Sequence, residues 1–374
     1  MRIFTAPAAC FRSLALAALV VVVPGAAPAL AEDPVAALSH RLEQCAVQLP
    51  FTGPYGYLAA LLDLLRVPVA SQIAVFSKTS IQSLHIEPAN PRVLFFNNAV
   101  SVGWVRGGFI ELAAQDPGEH NAIHYYILLQ RPDERLTRRE DCVRCHRSGL
   151  TQLRSVVSTP DGIPSGEIDV DSRTPFSELW GGWFVTGNAI PPGHMGNRGF
   201  ANAERREIKP VLDPKFSLTP SSDVVALMVF AHQMHMMNLL AHPDNVNELV
   251  DYLLFIDEAP LPGPIRGNSG FAQEFSAAGP RDHLGRGLRD FDPGTRLMRY
   301  PCSYMIYSDA FDALPTATKE AIYSRMSRIL SGHEPDPRYL RLSAADRQAV
   351  IAILRDTKKD LPAWFGGTEP RTQQ

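Results

Sequence analysis

The sequence predicts an α+β protein, an antiparallel β-meander followed by a mainly helical, loop-rich region. Three observations predict it. Residues 91 to 130 alternate with a period of two and break at turn pairs. Apolar residues recur at helical spacing before that stretch and again beyond residue 222. The chain of 374 residues carries 31 prolines, which suit long ordered loops better than a helical bundle.

The opening stretch, residues 1 to 31, reads as a secretory leader. Arg2 and Arg12 are its only charges, Ser13 to Val23 is a short apolar run, Pro24 and Gly25 break it, and Ala29-Leu30-Ala31 offers a small-residue cleavage site. A spanning helix needs about 18 or more apolar residues, so this run is too short to be one, and no integral membrane segment is expected after cleavage. Export to the periplasm is the expected localisation. Losing two arginines and no acids takes the formal charge from −3 to −5. That balance speaks against a nucleic-acid binder, which would carry a basic excess. The hydrophobic fraction of 45% is ordinary for a globular protein.

Helices are expected over residues 34 to 46, with Leu38, Leu42 and Cys45 on one side, and over 56 to 66. The meander follows. Val93 and Phe95 alternate, then Val100, Val102 and Trp104, then Ile123, Tyr125, Ile127 and Leu129, with breaks at Asn97-Asn98, Gly107-Gly108 and Asp116-Pro117-Gly118. Three or four strands fit this pattern. Glu111, His120 and His124 lie in the meander with no partner legible in the sequence. A short hairpin is expected at 154 to 170. Ser222 and Asp223 precede "VVALMVFAHQMHMMNLLA", a helix apolar on nearly all sides and therefore buried. "NVNELVDYLLFI" forms a second helix, residues 260 to 315 look irregular, and two amphipathic helices close the chain. Ser343-x-x-Asp346 resembles a capping box for the last.

Between meander and hairpin stands "EDCVRCHRSG". Cys142, Cys145 and His146 have the C-x-x-C-H spacing of covalent c-type haem attachment. Two thiols so spaced can form thioethers to the two vinyl groups of one porphyrin, and the next residue can ligate its iron. A structural zinc site would need four ligands, and a thioredoxin-like dithiol would sit in a βαβ unit. The two remaining cysteines lie far from each other and from the motif, which speaks against zinc, and the polar, loop-like "RPDERLTRRED" before it speaks against the dithiol. One haem c is thus the expected cofactor, in a cytochrome-c-like region. Arginines around the motif, from Arg131 to Arg154, are candidates for propionates or for docking a redox partner. The remaining pair, Cys45 and Cys302, is expected to form a disulfide.

A sixth iron ligand separates carriers from catalysts. Met195 and His194, in "PPGHMGN", are the first candidates, and His232, one helical turn from His235, is the next. Trp180 and Trp183 are candidates to pack on a porphyrin edge. No G-x-S-x-G, P-loop or Rossmann fingerprint is present.

"FSKTSIQ", "PRVLFFNNAVSVGWV", "CVRCH", "WGGWFVTG", "HMGN" and "RYPCSYMIYSDAFDALP" together resemble a family of exported bacterial proteins with a c-type cytochrome domain. The resemblance runs from about residue 70 to 357 and implies haem attachment at Cys142 and Cys145 with His146 as ligand. It implies no particular reaction.

The expected organisation is a leader over 1–31, N-terminal helices and meander over 32–130, a haem c-binding region over 131–260, and a loop-rich segment with a helix pair over 261–374. The expected function is electron transfer through one covalent haem. The alternatives are a peroxidase-like haem oxidoreductase with an open distal iron site, and a haem-based sensor or structural module.

Overall fold

In a computed structural model of the chain, the described residues are 32–144, 146, 150–201, 204–213, 217–292 and 294–367. The expected leader and Cys145 lie outside them. The protein is α+β, built on one antiparallel sheet with helices against both faces.

Helices α1 (Pro34–Glu43) and α2 (Leu58–Leu64) precede strand β1 (Ile73–Val75). The meander forms where the alternation puts it, as β2 (Arg92–Phe96), β3 (Val100–Trp104), β4 (Ile110–Asp116) and β5 (Ala122–Leu128). Short strands β6 (Thr137–Arg138) and β9 (Trp183–Phe184) complete a seven-stranded sheet in the order β6-β5-β4-β3-β2-β1-β9. The segments on either side of residue 130 therefore share one sheet. The expected hairpin forms as β7 (Arg154–Ser158) and β8 (Pro164–Asp169), and a second hairpin joins β10 (Arg198–Ala201) to β11 (Glu204–Glu207).

Successive side chains of a strand point to opposite faces, and here both faces are covered. Val93, Phe95, Val102, Trp104 and Leu112 pack with Leu38, Leu58 and Leu61 of α1 and α2. Ile73, Leu94, Phe96, Ile123 and Tyr125 face the other way, toward α3 (Val224–Ala241). The apolar sets in β2–β3 and in β5 that look alike in the sequence thus belong to different cores.

Asp223 starts α3, its side chain accepting from the Val225 and Ala226 N–H groups at 2.8 and 3.1 Å. Ser222 points elsewhere, donating to the Phe184 carbonyl at 2.6 Å. Among the described residues α3 is the one helix long and apolar enough to cross a membrane, and it is mostly buried inside the protein. α4 (Val246–Leu253), α5 (Phe271–Ala277), α6 (Asp309–Asp312), α7 (Thr316–Leu330) and α8 (Ala344–Thr357) pack beyond it. Ser343 caps α8, the Asp346 N–H donating to Ser343 Oγ at 3.0 Å and Ser343 Oγ donating to the Asp346 carboxylate at 2.9 Å.

The expected bridge between Cys45 and Cys302 does not form. Cys302 is a free, fully buried thiol in the α3 core. Cys45 is exposed just past α1, whose core lies on the opposite side of the sheet. Cys302 being free, Cys45 is not bonded to it.

Candidate functional site

The α3-side face of the sheet carries small residues at its centre. Ser101 and Gly103 on β3 and Ala113 on β4 stand between Leu94 on β2 and Tyr125 on β5, through the registers Leu94↔Gly103 and Ala113↔Tyr125. These small side chains leave space between the sheet and the elements over it, helix α3 and the 150–156 segment. A cavity of about 270 Å³ remains. That volume is near the lower end of small-molecule sites, roughly 300–1,000 Å³. Its walls are largely apolar and include Val75, Leu94, Leu153, Val156, Trp183, Phe230 and Met234.

Cys142 and His146 stand on the wall of this cavity. The His146 ring stacks on Tyr125, centroids 4.4 Å apart. Tyr125 Oη donates to the Leu150 carbonyl at 3.1 Å, which fixes the return of the chain after the motif. Burial pushes the His146 imidazole below its ordinary range, so it stays neutral and able to offer a lone pair. Its Nδ1 is buried and has no hydrogen-bond partner among the described residues.

The opposite part of the lining is polar. Arg92 from β2 reaches across β3 to pair with Glu111 on β4. Gly103 makes that crossing possible, because a Cβ there would stand 2.9 Å from Arg92 Nη2. Glu111 Oε1 accepts from Ser80 Oγ at 2.8 Å and Gln82 Nε2 at 2.6 Å. Burial alone would raise the Glu111 pKa, but Arg92 and these donors outweigh it and hold the carboxyl below its ordinary value. Glu111 is an anion with a fixed cation beside it.

Among the described residues ten buried side-chain polar atoms lack a partner. Four of them, Ser77 Oγ, Arg92 Nε, Ser101 Oγ and His146 Nδ1, belong to residues lining this one cavity. Buried polar groups are almost always satisfied in native proteins. Their concentration at one concave, otherwise apolar surface marks it as the candidate site.

The other predicted residues lie elsewhere. His232 is fully buried in the α3 core, its Nε2 2.7 Å from Ser303 Oγ and its ring stacked between Tyr252 and Phe255. Burial pushes its pKa down to about 3. His194 packs edge-on against Trp180, and its Nδ1 accepts from the Gly196 N–H at 3.0 Å. The Met195 N–H donates to the Leu179 carbonyl at 2.9 Å. None of the three lines the cavity that holds His146. Of the two tryptophans, Trp183 lines it and Trp180 does not. Arg131, Arg138 and Arg139 pair with the nearby Glu134, Glu140 and Asp141 at the surface, and Arg154, which lines the cavity, pairs with Glu167 at 2.7 Å.

Sequence reasoning missed Arg92 and its connection to Glu111. Its one signal was a glycine, Gly103, inside an otherwise bulky strand, which marks a close approach by another group. No family model, curated protein or solved structure matches the chain.

Proposed function

We propose that this is an exported c-type cytochrome that carries one covalent haem and transfers electrons through it in the periplasm. The observation that carries the reading is the placing of Cys142 and His146, two of the three residues of the C-x-x-C-H motif, on the wall of a cavity with apolar sides and a floor of small residues. The residues present fit such a group. Cys142, with Cys145, would tether the porphyrin, and His146 would supply a neutral imidazole whose Nδ1 is buried with no partner among the described residues. Bound haem supplies a one-electron iron couple, tuned by axial ligand, hydrogen bonding and burial. The protein surrounds the group with largely apolar walls, holds the imidazole against Tyr125, and presents the arginine-bearing surface near the motif to a redox partner.

A second reading, a haem-dependent oxidoreductase with an open distal iron site, is favoured by one observation. Met195, His194 and His232 do not line the cavity.

The test is export of the full chain in a host that ligates haem c, followed by denaturation and extraction with acidified organic solvent. Colour should stay on the polypeptide, and Cys142→Ala should weaken or abolish its retention. Colour that extracts completely from the parent protein overturns the proposal. Adding carbon monoxide to the reduced holoprotein then separates the readings. A carrier with two protein ligands resists binding, whereas prompt, complete binding supports the oxidoreductase.

A further inference from the structure

We infer that Arg92 and Glu111 belong to the haem site as positioning residues, a built-in charge pair that sets the electrostatic potential at the iron. The inference rests on the haem reading above and goes beyond it, since neither residue is part of the attachment motif.

Four ionisable side chains besides His146 and Cys142 line the cavity with an acid or guanidinium group, namely Arg92, Glu111, Asp141 and Arg154. Asp141 is exposed and pairs with Arg139, and Arg154 pairs with exposed carboxylates of the β8 strand. Solvent screens both. Arg92 and Glu111 differ, with side chains only 20% and 19% exposed. They are held by Gln82 and Ser80, and a glycine opposite them leaves room for the guanidinium. Fixed charges in such a setting act on their neighbours far more strongly than surface charges do. Their reach includes the motif, because both line the same cavity on whose wall Cys142 and His146 stand.

The pair is neutral as a unit, so its two halves oppose each other at the iron. A cation left alone disfavours the more positive ferric state and raises the reduction potential. An anion left alone does the reverse. An ion pair with a purely structural role would lower stability when either half is removed, but would not move the potential in opposite directions.

The experiment is equilibrium redox titration of the holoprotein, followed optically. Glu111→Gln should raise the potential and Arg92→Gln should lower it, each by about tenfold in the reduction equilibrium, or about 59 mV for one electron. The double variant, neutral again, should return close to the parent. Gly103→Ala, which changes no charge but displaces the guanidinium, should also shift the potential. Single-variant shifts of the same sign, or none, overturn the inference while leaving the haem reading intact. Should Arg92→Gln fail to accumulate, a downward or absent shift in Glu111→Gln is sufficient to overturn it. Parent protein without covalent haem overturns the underlying reading, and this inference with it.

Discussion

Glu258 shows how one residue can set a pH dependence. Its carboxylate is buried, and burial pushes its pKa up to about 7, despite a hydrogen bond from the Leu297 N–H at 3.1 Å and the nearby Arg341 and Arg296. In the unfolded chain the group titrates near 4.5. Between those two values the folded state holds the proton and the unfolded state has lost it, so stability falls as pH rises through that window. The span corresponds to about 3 kcal/mol at 1.36 kcal/mol per unit. Glu258→Gln should therefore flatten urea-melt stability between about pH 4.5 and 7 and make the protein more stable than the parent at pH 8. An unchanged slope would refute this. His124 illustrates a different outcome for a residue with no partner legible in the sequence. Its Nδ1 lies 3.1 Å from Asp33 and its Nε2 3.1 Å from Glu119, so both ring nitrogens face carboxylates. Asp33 also caps α1 and accepts from Tyr126 Oη at 2.6 Å, which ties the first helix to β5.

At the scale of elements, α3 depends on its start. Asp223 caps the helix with one carboxylate oxygen, and with the other accepts from the Asn268 and Ser269 N–H groups at 2.7 and 2.9 Å and from Ser269 Oγ at 2.9 Å. Asp223→Ala orphans donors on two segments at once. A lost cap costs about 0.5–2 kcal/mol and each stranded buried donor about 1–3. A loss of roughly 3 kcal/mol or more is expected, read as a lower denaturation midpoint at unchanged m-value. Asp223→Asn, which keeps one acceptor, should cost less, and equal losses would contradict the two-sided role. This cap was legible in the sequence, as were the meander, the β7–β8 hairpin and the Ser343 cap, because each is written in contiguous residues. Strands β1 and β9 were not, being three and two residues long, with β9 recruited to the sheet edge from a segment far along the chain. Period-two alternation fixes which residues share a face, but not which face meets which core, and here both faces are buried. That ambiguity also hid the cavity, whose floor, ion pair and imidazole come from different strands and a loop. The C-x-x-C-H spacing can be read without the fold, because it lies within five consecutive residues.

For the whole molecule, the sheet is the shared wall of two cores, and α3 joins the second core to the C-terminal helices. Gln233 on α3 shows the connection in one side chain, donating to the Asn97 carbonyl at 2.6 Å and accepting from Tyr304 Oη at 2.9 Å. Elements that contribute to both cores can open only when much of the protein opens. β8 and β11 are different, because every residue in each is exposed. Local opening free energies scale with how much buried contact is lost. Native-state hydrogen exchange should therefore place the amides of β2–β4 and α3 at the free energy of global unfolding, with those of β8 and β11 well below it. A β8 hairpin strand as protected as α3 would mean that the hairpin is part of the cooperative unit. Arg154 and Val156 of its β7 strand would then be a rigid part of the cavity wall rather than part of a separately opening flap.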